Sequence, residues 1–121
     1  MAKTALVVDD STSMRQMVSF TLKESGFEVI QAGNGQEALA NVAGNSVNLV
    51  VTDLNMPVMD GMTLIRELRT KPEFKFTPIL MLTTESQDTK KQEGRAAGAT
   101  GWIVKPFNPV QLMQVVGKVV R

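Results

Sequence analysis

Five short apolar runs recur along the chain, at Ala5 to Val8, Val29 to Ile30, Leu49 to Val51, Ile79 to Leu82 and Trp102 to Val104, with segments of helical length between them. A strand with one wet face alternates apolar and polar residues, whereas continuous apolar runs need cover on both faces. The pattern therefore predicts five βα units, with a parallel sheet held between two layers of helices. In the first helical segment Met14, Met17, Val18, Thr21 and Leu22 share one face, Arg15, Gln16 and Lys23 lie elsewhere, and Gly26 ends the segment. Further helices are expected at Gln36 to Val42, Met62 to Arg69, Gln87 to Ala97 and Pro109 to Val120, punctuated by Gly35, Gly44, Gly61, Gly98 and Pro109. Right-handed crossovers make such a sheet doubly wound, and sheets of this kind bind ligands beyond the carboxyl ends of their strands. Functional residues are expected there.

Composition narrows the chemistry. With 121 residues, 43% of them hydrophobic, the chain can bury one core, so residues 1–121 are expected to form one domain. Thirteen Lys and Arg nearly cancel twelve Asp and Glu, which leaves no strong field for nucleic acid or an anionic membrane. Without cysteine or histidine there is no disulfide, no soft metal site and no imidazole base or phosphocarrier. Chemistry falls to carboxylates, hydroxyls and lysine. The N-terminus lacks the apolar run of a signal peptide and no stretch approaches the roughly 18 apolar residues of a membrane span, so a soluble cytoplasmic protein is expected. No repeat, low-complexity tract or linker interrupts the pattern.

The strand ends carry a common chemistry. The first ends in Asp9-Asp10, the third in Asp53, the fourth in Thr83-Thr84 and the fifth in Lys105-Pro106. Each has a plain structural explanation: Asp9 and Asp10 as turn residues before a helix that Ser11, Thr12 or Ser13 caps, Asp53 as a loop aspartate before Met56-Pro57, Lys105 as a solvated lysine. Their convergence is less easily explained that way. Three aspartates around one crevice repel one another, and a hard divalent cation with oxygen ligands relieves that repulsion, so a magnesium site is expected. With a metal and Lys105 offsetting charge, the Asp53 carboxylate can attack phosphorus in line, and catalysis rests on positioning and electrostatics. Thr83 is placed to hydrogen-bond the new phosphoryl oxygen.

In order and spacing, Asp9-Asp10, Asp53-Leu54-Asn55-Met56-Pro57 with Asp60-Gly61, Thr83 and Lys105-Pro106-Phe107 resemble the response-regulator receiver family over essentially the whole chain. The resemblance is closest to single-domain chemotaxis regulators of the CheY type. It implies a flavodoxin-like sheet of order 2-1-3-4-5 with five helices. It also implies Asp53 as phosphoryl acceptor, magnesium held by Asp10, Asp53 and the backbone carbonyl of Asn55 with Asp9 acting mainly through water, and Thr83, Thr84 and Lys105 at the phosphoryl group. A cis Lys105-Pro106 peptide follows from it, and Gly61 is expected to allow close backbone passage. Asn55 and Glu85, beside the path of water to the acyl phosphate, match the chemotaxis subgroup and imply a short-lived phosphoryl group. The implied partners are a histidine kinase as phosphodonor, a phosphatase if the organism has one, and the flagellar motor switch as target of a monomeric protein.

Four features bear on output. Family members couple a hydroxyl at the Thr83 position to rotation of an aromatic at the Trp102 position, where Tyr, Phe or His is commoner than Trp. The segment Thr84 to Arg95 has no large apolar side chain, so a helix there is either weakly anchored and able to shift or simply a solvated surface helix. In the last helix Leu112, Met113, Val115, Val116, Val119 and Val120 cover an arc of about 160°, wider than a core-facing stripe, and the excess edge beside Trp102 is a candidate partner face unless it is packed away. Asp88 and Val115 stand where motor-binding relatives carry lysines. The eight methionines fit core filling better than a metal surface.

Three other readings compete. A phosphate sink or adapter for another target would use the same site. A phosphohydrolase with an aspartyl-phosphate intermediate generally has a second aspartate two residues after the nucleophile, where this chain has Asn55, so a signalling protein rather than an enzyme is expected. A nucleotide-binding loop of the Gly-x-x-x-x-Gly-Lys form is absent after the first strand.

Overall fold

The computed structural model describes residues 3–56, 58–84 and 88–120, with 88–90 described by their backbone. Strands β1 (Thr4–Val8), β2 (Glu28–Ala32), β3 (Leu49–Asp53), β4 (Ile79–Thr83) and β5 (Gly101–Val104) alternate with helices α1 (Thr12–Glu24), α2 (Gly35–Asn41), α3 (Gly61–Arg69), α4 (Asp88–Ala97) and α5 (Pro109–Val119). All pairings are parallel, and the order is β2-β1-β3-β4-β5, the flavodoxin-like arrangement. A short 3-10 turn, Pro72–Phe74, precedes β4 and has no counterpart in the apolar periodicity.

The continuous apolar runs are explained by the two cores. Leu6, Val8, Val50, Ile79 and Met81 point to a cluster completed by Ala38, Leu64, Ile65, Leu68 and Ala97, beneath α2, α3 and α4. Their neighbours Ala5, Val7, Leu49, Val51, Leu80 and Leu82 point the other way, to Val18, Leu22, Leu112 and Val116 of α1 and α5. Side chains of a strand alternate faces, so each central strand feeds both clusters and none of its residues can be polar without a special reason. β3 and β4 are buried throughout.

Helix boundaries follow local chemistry. Ser11 caps α1, its side chain accepting from the Met14 amide, and Gly26 ends the segment at φ +97. Asn34, Asp60 and Asn108 cap α2, α3 and α5, and Asn108 forms a reciprocal capping box with Gln111. The caps place α2 at Gly35, one residue before the expected start, and α5 ends at Val119. The described methionines fill space: Met62 and Met81 are buried, and Met14, Met17, Met56, Met59 and Met113 are half-buried against the two clusters.

α4 is held differently from the other helices. Lacking large apolar side chains, it approaches the sheet through Gly94, where an added Cβ would lie 2.3 Å from the Met81 methyl carbon. The close approach substitutes for a hydrophobic stripe, so the helix is seated by one small residue and Ala97.

Candidate functional site

Parallel strands bring their C-terminal ends to one edge of the sheet, and with them Asp9, Asp10, Asp53, Thr83 and Lys105. Carboxylate oxygens of Asp9, Asp10 and Asp53 lie within 4.8 Å of one another. Asp9 and Asp53 are buried and Asp10 is exposed, so the cluster forms a crevice open on one side. Asp53 Oδ1 accepts from the Leu54 amide at 2.9 Å and from Lys105 Nζ at 3.0 Å. Lys105 Nζ also stands 3.6 Å from Asp9 Oδ2. One ammonium thus faces two buried carboxylates.

The local geometry that aims these groups is explicit. Leu54 N–H also bonds Leu82 O at 3.0 Å, extending the β3–β4 ladder one residue past Asp53. The Lys105 amide bonds Thr83 O at 2.7 Å, and the Lys105–Pro106 peptide is cis, as the resemblance implied. Gly61 passes the Asp53–Leu54 backbone so closely that a Cβ would sit 2.3 Å from Asp53 O, and its amide donates to Leu54 O at 2.8 Å. Thr83 is buried at the end of β4, while Thr84 and Asn55 are exposed in the loops that follow β4 and β3. Glu85 and Gln87 lie outside the described residues.

Burial dominates the electrostatics of the site, and like charge adds to it. Burial pushes the Asp9 carboxyl above its ordinary value of 3.8, the Ser11 amide and Lys105 oppose that shift, and Asp53 and Asp10 add to it. Ser11 N–H bonds Asp9 Oδ1 at 2.9 Å, but Asp9 Oδ2 is buried without a hydrogen-bond donor. A buried carboxylate oxygen lacking a donor, beside two further carboxylates, has the hard-oxygen chemistry of a divalent cation site, and the residues present fit magnesium.

Trp102 is half-buried at the edge strand β5, packed on the cluster beneath α2, α3 and α4. Met113 and Val115, both half-buried, pack on the opposite cluster. At the β5 edge of the sheet the ring and these α5 side chains thus pack on opposite faces, a relationship that helical periodicity cannot show. An open apolar groove of about 580 Å³ lies between α1 and α5, lined by Phe20 (65% exposed), Val110 (66% exposed) and Met113. Nor does periodicity reveal Arg15, whose Nη1 reaches back to Asp9 O at 2.7 Å, or Lys91 and Arg95, which stand over Trp102.

Known proteins agree with this geometry. Residues 5–117 match the response regulator receiver domain. The transcriptional regulatory protein SrrA of Staphylococcus aureus is 37% identical over 121 residues, all of this chain and 49% of that protein, so the chain spans about half the length of the curated relatives it matches. Among solved structures, chemotaxis response regulator CheY4 of Vibrio cholerae superposes with a TM-score of 0.95 at 50% identity, covering 99% of this chain and 100% of its own. A putative response regulator from Chloroflexus aurantiacus gives 0.91 at 35% identity, with 98% of each chain covered. The chain belongs to the response-regulator receiver family.

Proposed function

We propose that Asp53 is the phosphoryl acceptor of a phosphorylation-controlled binding protein. The observation that carries this reading is the buried Asp53 carboxylate, 3.0 Å from Lys105 Nζ and within 4.8 Å of two further aspartates at the mouth of a parallel sheet. In the transfer an oxygen of Asp53 bonds to phosphorus as the P–N bond of a kinase phosphohistidine breaks, and the imidazole leaves with the bonding electron pair and takes up a proton. Asp10, Asp53 and the Asn55 carbonyl would hold magnesium, with Asp9 acting mainly through water, and the bound ion would supply charge neutralisation and orientation. Lys105 moves from pairing with Asp53 to pairing with the phosphoryl oxygens, a short shift for a flexible ammonium. Thr83 donates to one of those oxygens, Thr84 flanks it, and Trp102 turns as Thr83 moves. Asn55 and Glu85 set how quickly water hydrolyses the acyl phosphate. The protein assists its own phosphorylation without turning over a small substrate.

The output we infer is chemotactic, through the flagellar motor switch, in a cytoplasmic monomer whose residues 1–121 form a receiver domain. Support comes from the 50% identity to CheY4 over 99% of this chain and 100% of that one. A sink or adapter receiver is the second reading, favoured by Asp88 and Val115 at positions where motor-binding relatives carry lysine. No described helix is long and apolar enough to cross a membrane.

Titration with the N-terminal peptide of the organism's motor-switch protein, with and without magnesium and beryllofluoride and with Asp53→Ala as control, tests both steps. Tighter binding confined to the activated protein with Asp53 present supports the motor-directed switch. A Trp102 response to beryllofluoride without peptide binding would retain the switch and remove the motor. No response to beryllofluoride, and no phosphoprotein from acetyl phosphate, would sink the acceptor assignment.

A further inference from the structure

We propose that Arg15 is a positioning residue for the metal site, acting through the backbone of Asp9. This rests on the proposed magnesium site and extends it to a side chain outside the acidic cluster. Arg15 sits on α1, one turn past the β1–α1 loop, yet its guanidinium points back rather than out. Nη1 donates to the main-chain carbonyl of Asp9 at 2.7 Å, and Nε donates to the Gln31 side chain on β2 at 3.3 Å. A charge-assisted bond of that length to a loop carbonyl is stronger than a neutral one.

The carbonyl it holds belongs to the Asp9–Asp10 peptide, which sets the direction in which Asp10 leaves the sheet. On the other side of Asp9 the amide bonds Ala32 O at 3.1 Å, so the residue is clamped by β2 through its N–H and by Arg15 through its C=O. Ser11 N–H, two residues on, fixes Asp9 Oδ1 at 2.9 Å. The side chain of Asp10 is exposed and has no such fixing among the described hydrogen bonds, so its aim depends on the peptide plane that Arg15 holds. Without Arg15 that peptide can rotate, and the two carboxylates lose their mutual placement before any metal arrives.

Two effects oppose each other, and their balance makes the proposal testable. A guanidinium near an acidic cluster repels a dication, so its removal should tighten magnesium binding if charge dominates. If orientation dominates, removal should weaken binding, and groups that orient metal ligands from outside typically change affinity by about 10- to 100-fold. The directed bond to the carbonyl and the brace from Gln31 favour orientation.

Magnesium titration by calorimetry, on the full chain without phosphodonor, reads this directly. Arg15→Met is expected to raise the half-saturating magnesium concentration about tenfold. Arg15→Lys, which keeps a cation able to reach the carbonyl, should restore most of the loss. Gln31→Leu, which removes only the brace, should give a smaller rise. With acetyl phosphate, the same rise in half-saturating magnesium should appear with an unchanged phosphorylation rate at saturating magnesium, a split that general destabilisation would not produce. Tighter or unaltered magnesium binding in Arg15→Met, in a protein with native thermal unfolding, would overturn the proposal while leaving the site intact. If Arg15→Met does not fold, wild-type affinity in Gln31→Leu would overturn it. Absence of magnesium binding by the wild-type protein would remove the metal site itself, and this role with it.

Discussion

Lys91 Nζ stands 5.2 Å from the centroid of the Trp102 ring, and Arg95, one turn further along α4, reaches the same ring at 5.2 Å. A helix without large apolar side chains is thus linked to the edge strand by two cations over one aromatic. Each such contact contributes about 0.5–1 kcal/mol at an exposed site. A double-mutant cycle between Lys91→Met and Trp102→Leu, measured by urea unfolding, should give a coupling of about that size. A coupling indistinguishable from zero would mean that the ring and the ammonium are neighbours without interaction.

Gly61 is expected to tolerate no side chain. The atom nearest its missing Cβ is the Asp53 carbonyl oxygen at 2.3 Å, with Leu54 Cα at 2.9 Å, and neither is a side chain that can turn aside. Gly61→Ala should destabilise the protein by about 1–3 kcal/mol and slow phosphorylation from acetyl phosphate, because relief of the overlap displaces Asp53. Unfolding and rates equal to wild type would show that the loop has room to move.

Val58 adopts φ 73 and is 73% exposed, in the loop between β3 and α3. The left-handed region disfavours β-branched residues and is occupied more readily by asparagine. Val58→Asn should therefore raise stability by about 0.5–1 kcal/mol in chemical denaturation, since little packing is lost. A decrease would locate a packing role for the exposed valine.

The raised pKa of Asp9 has a definite sign in stability. A carboxyl pushed above 3.8 by folding binds its proton more tightly in the native state, so its ionisation destabilises the metal-free fold. That penalty is absent below pH 3.8, develops as pH rises through the shifted value, and is fully present above it. Asp9→Asn should stabilise the metal-free protein at neutral pH, with a gain that shrinks on acidification. In excess magnesium the gain should diminish or reverse, because the substitution removes a carboxylate from the site. A gain independent of pH would assign the effect to packing.

Much of this protein was legible before folding was considered. Continuous apolar runs such as Leu49 to Val51 require cover on both faces, and that alone leads to the doubly wound sheet whose strand ends gather Asp9, Asp10, Asp53, Thr83 and Lys105. Gly61 and the Lys105–Pro106 peptide were likewise expected from motif resemblance and hold in the fold. The α2 start moved by one residue with its Asn34 cap, and the α5 start at Pro109, capped by Asn108, is the expected one. What periodicity could not supply was which unlike elements touch. It placed the apolar edge of α5 beside Trp102, whereas the two pack on opposite faces of the sheet.

Determined by the sequence itself were the layers, the strand-end chemistry and the absence of imidazole and thiol, because these depend on local period and residue type. Only the tertiary structure decided that Arg15 holds the Asp9 carbonyl, that Lys91 and Arg95 cover Trp102, that Gly94 seats α4 on Met81, and that the open apolar groove lies between Phe20 and Val110. Those contacts depend on how long, flexible side chains and close backbone approaches meet across elements remote in sequence, and one-dimensional pattern carries no distance between them.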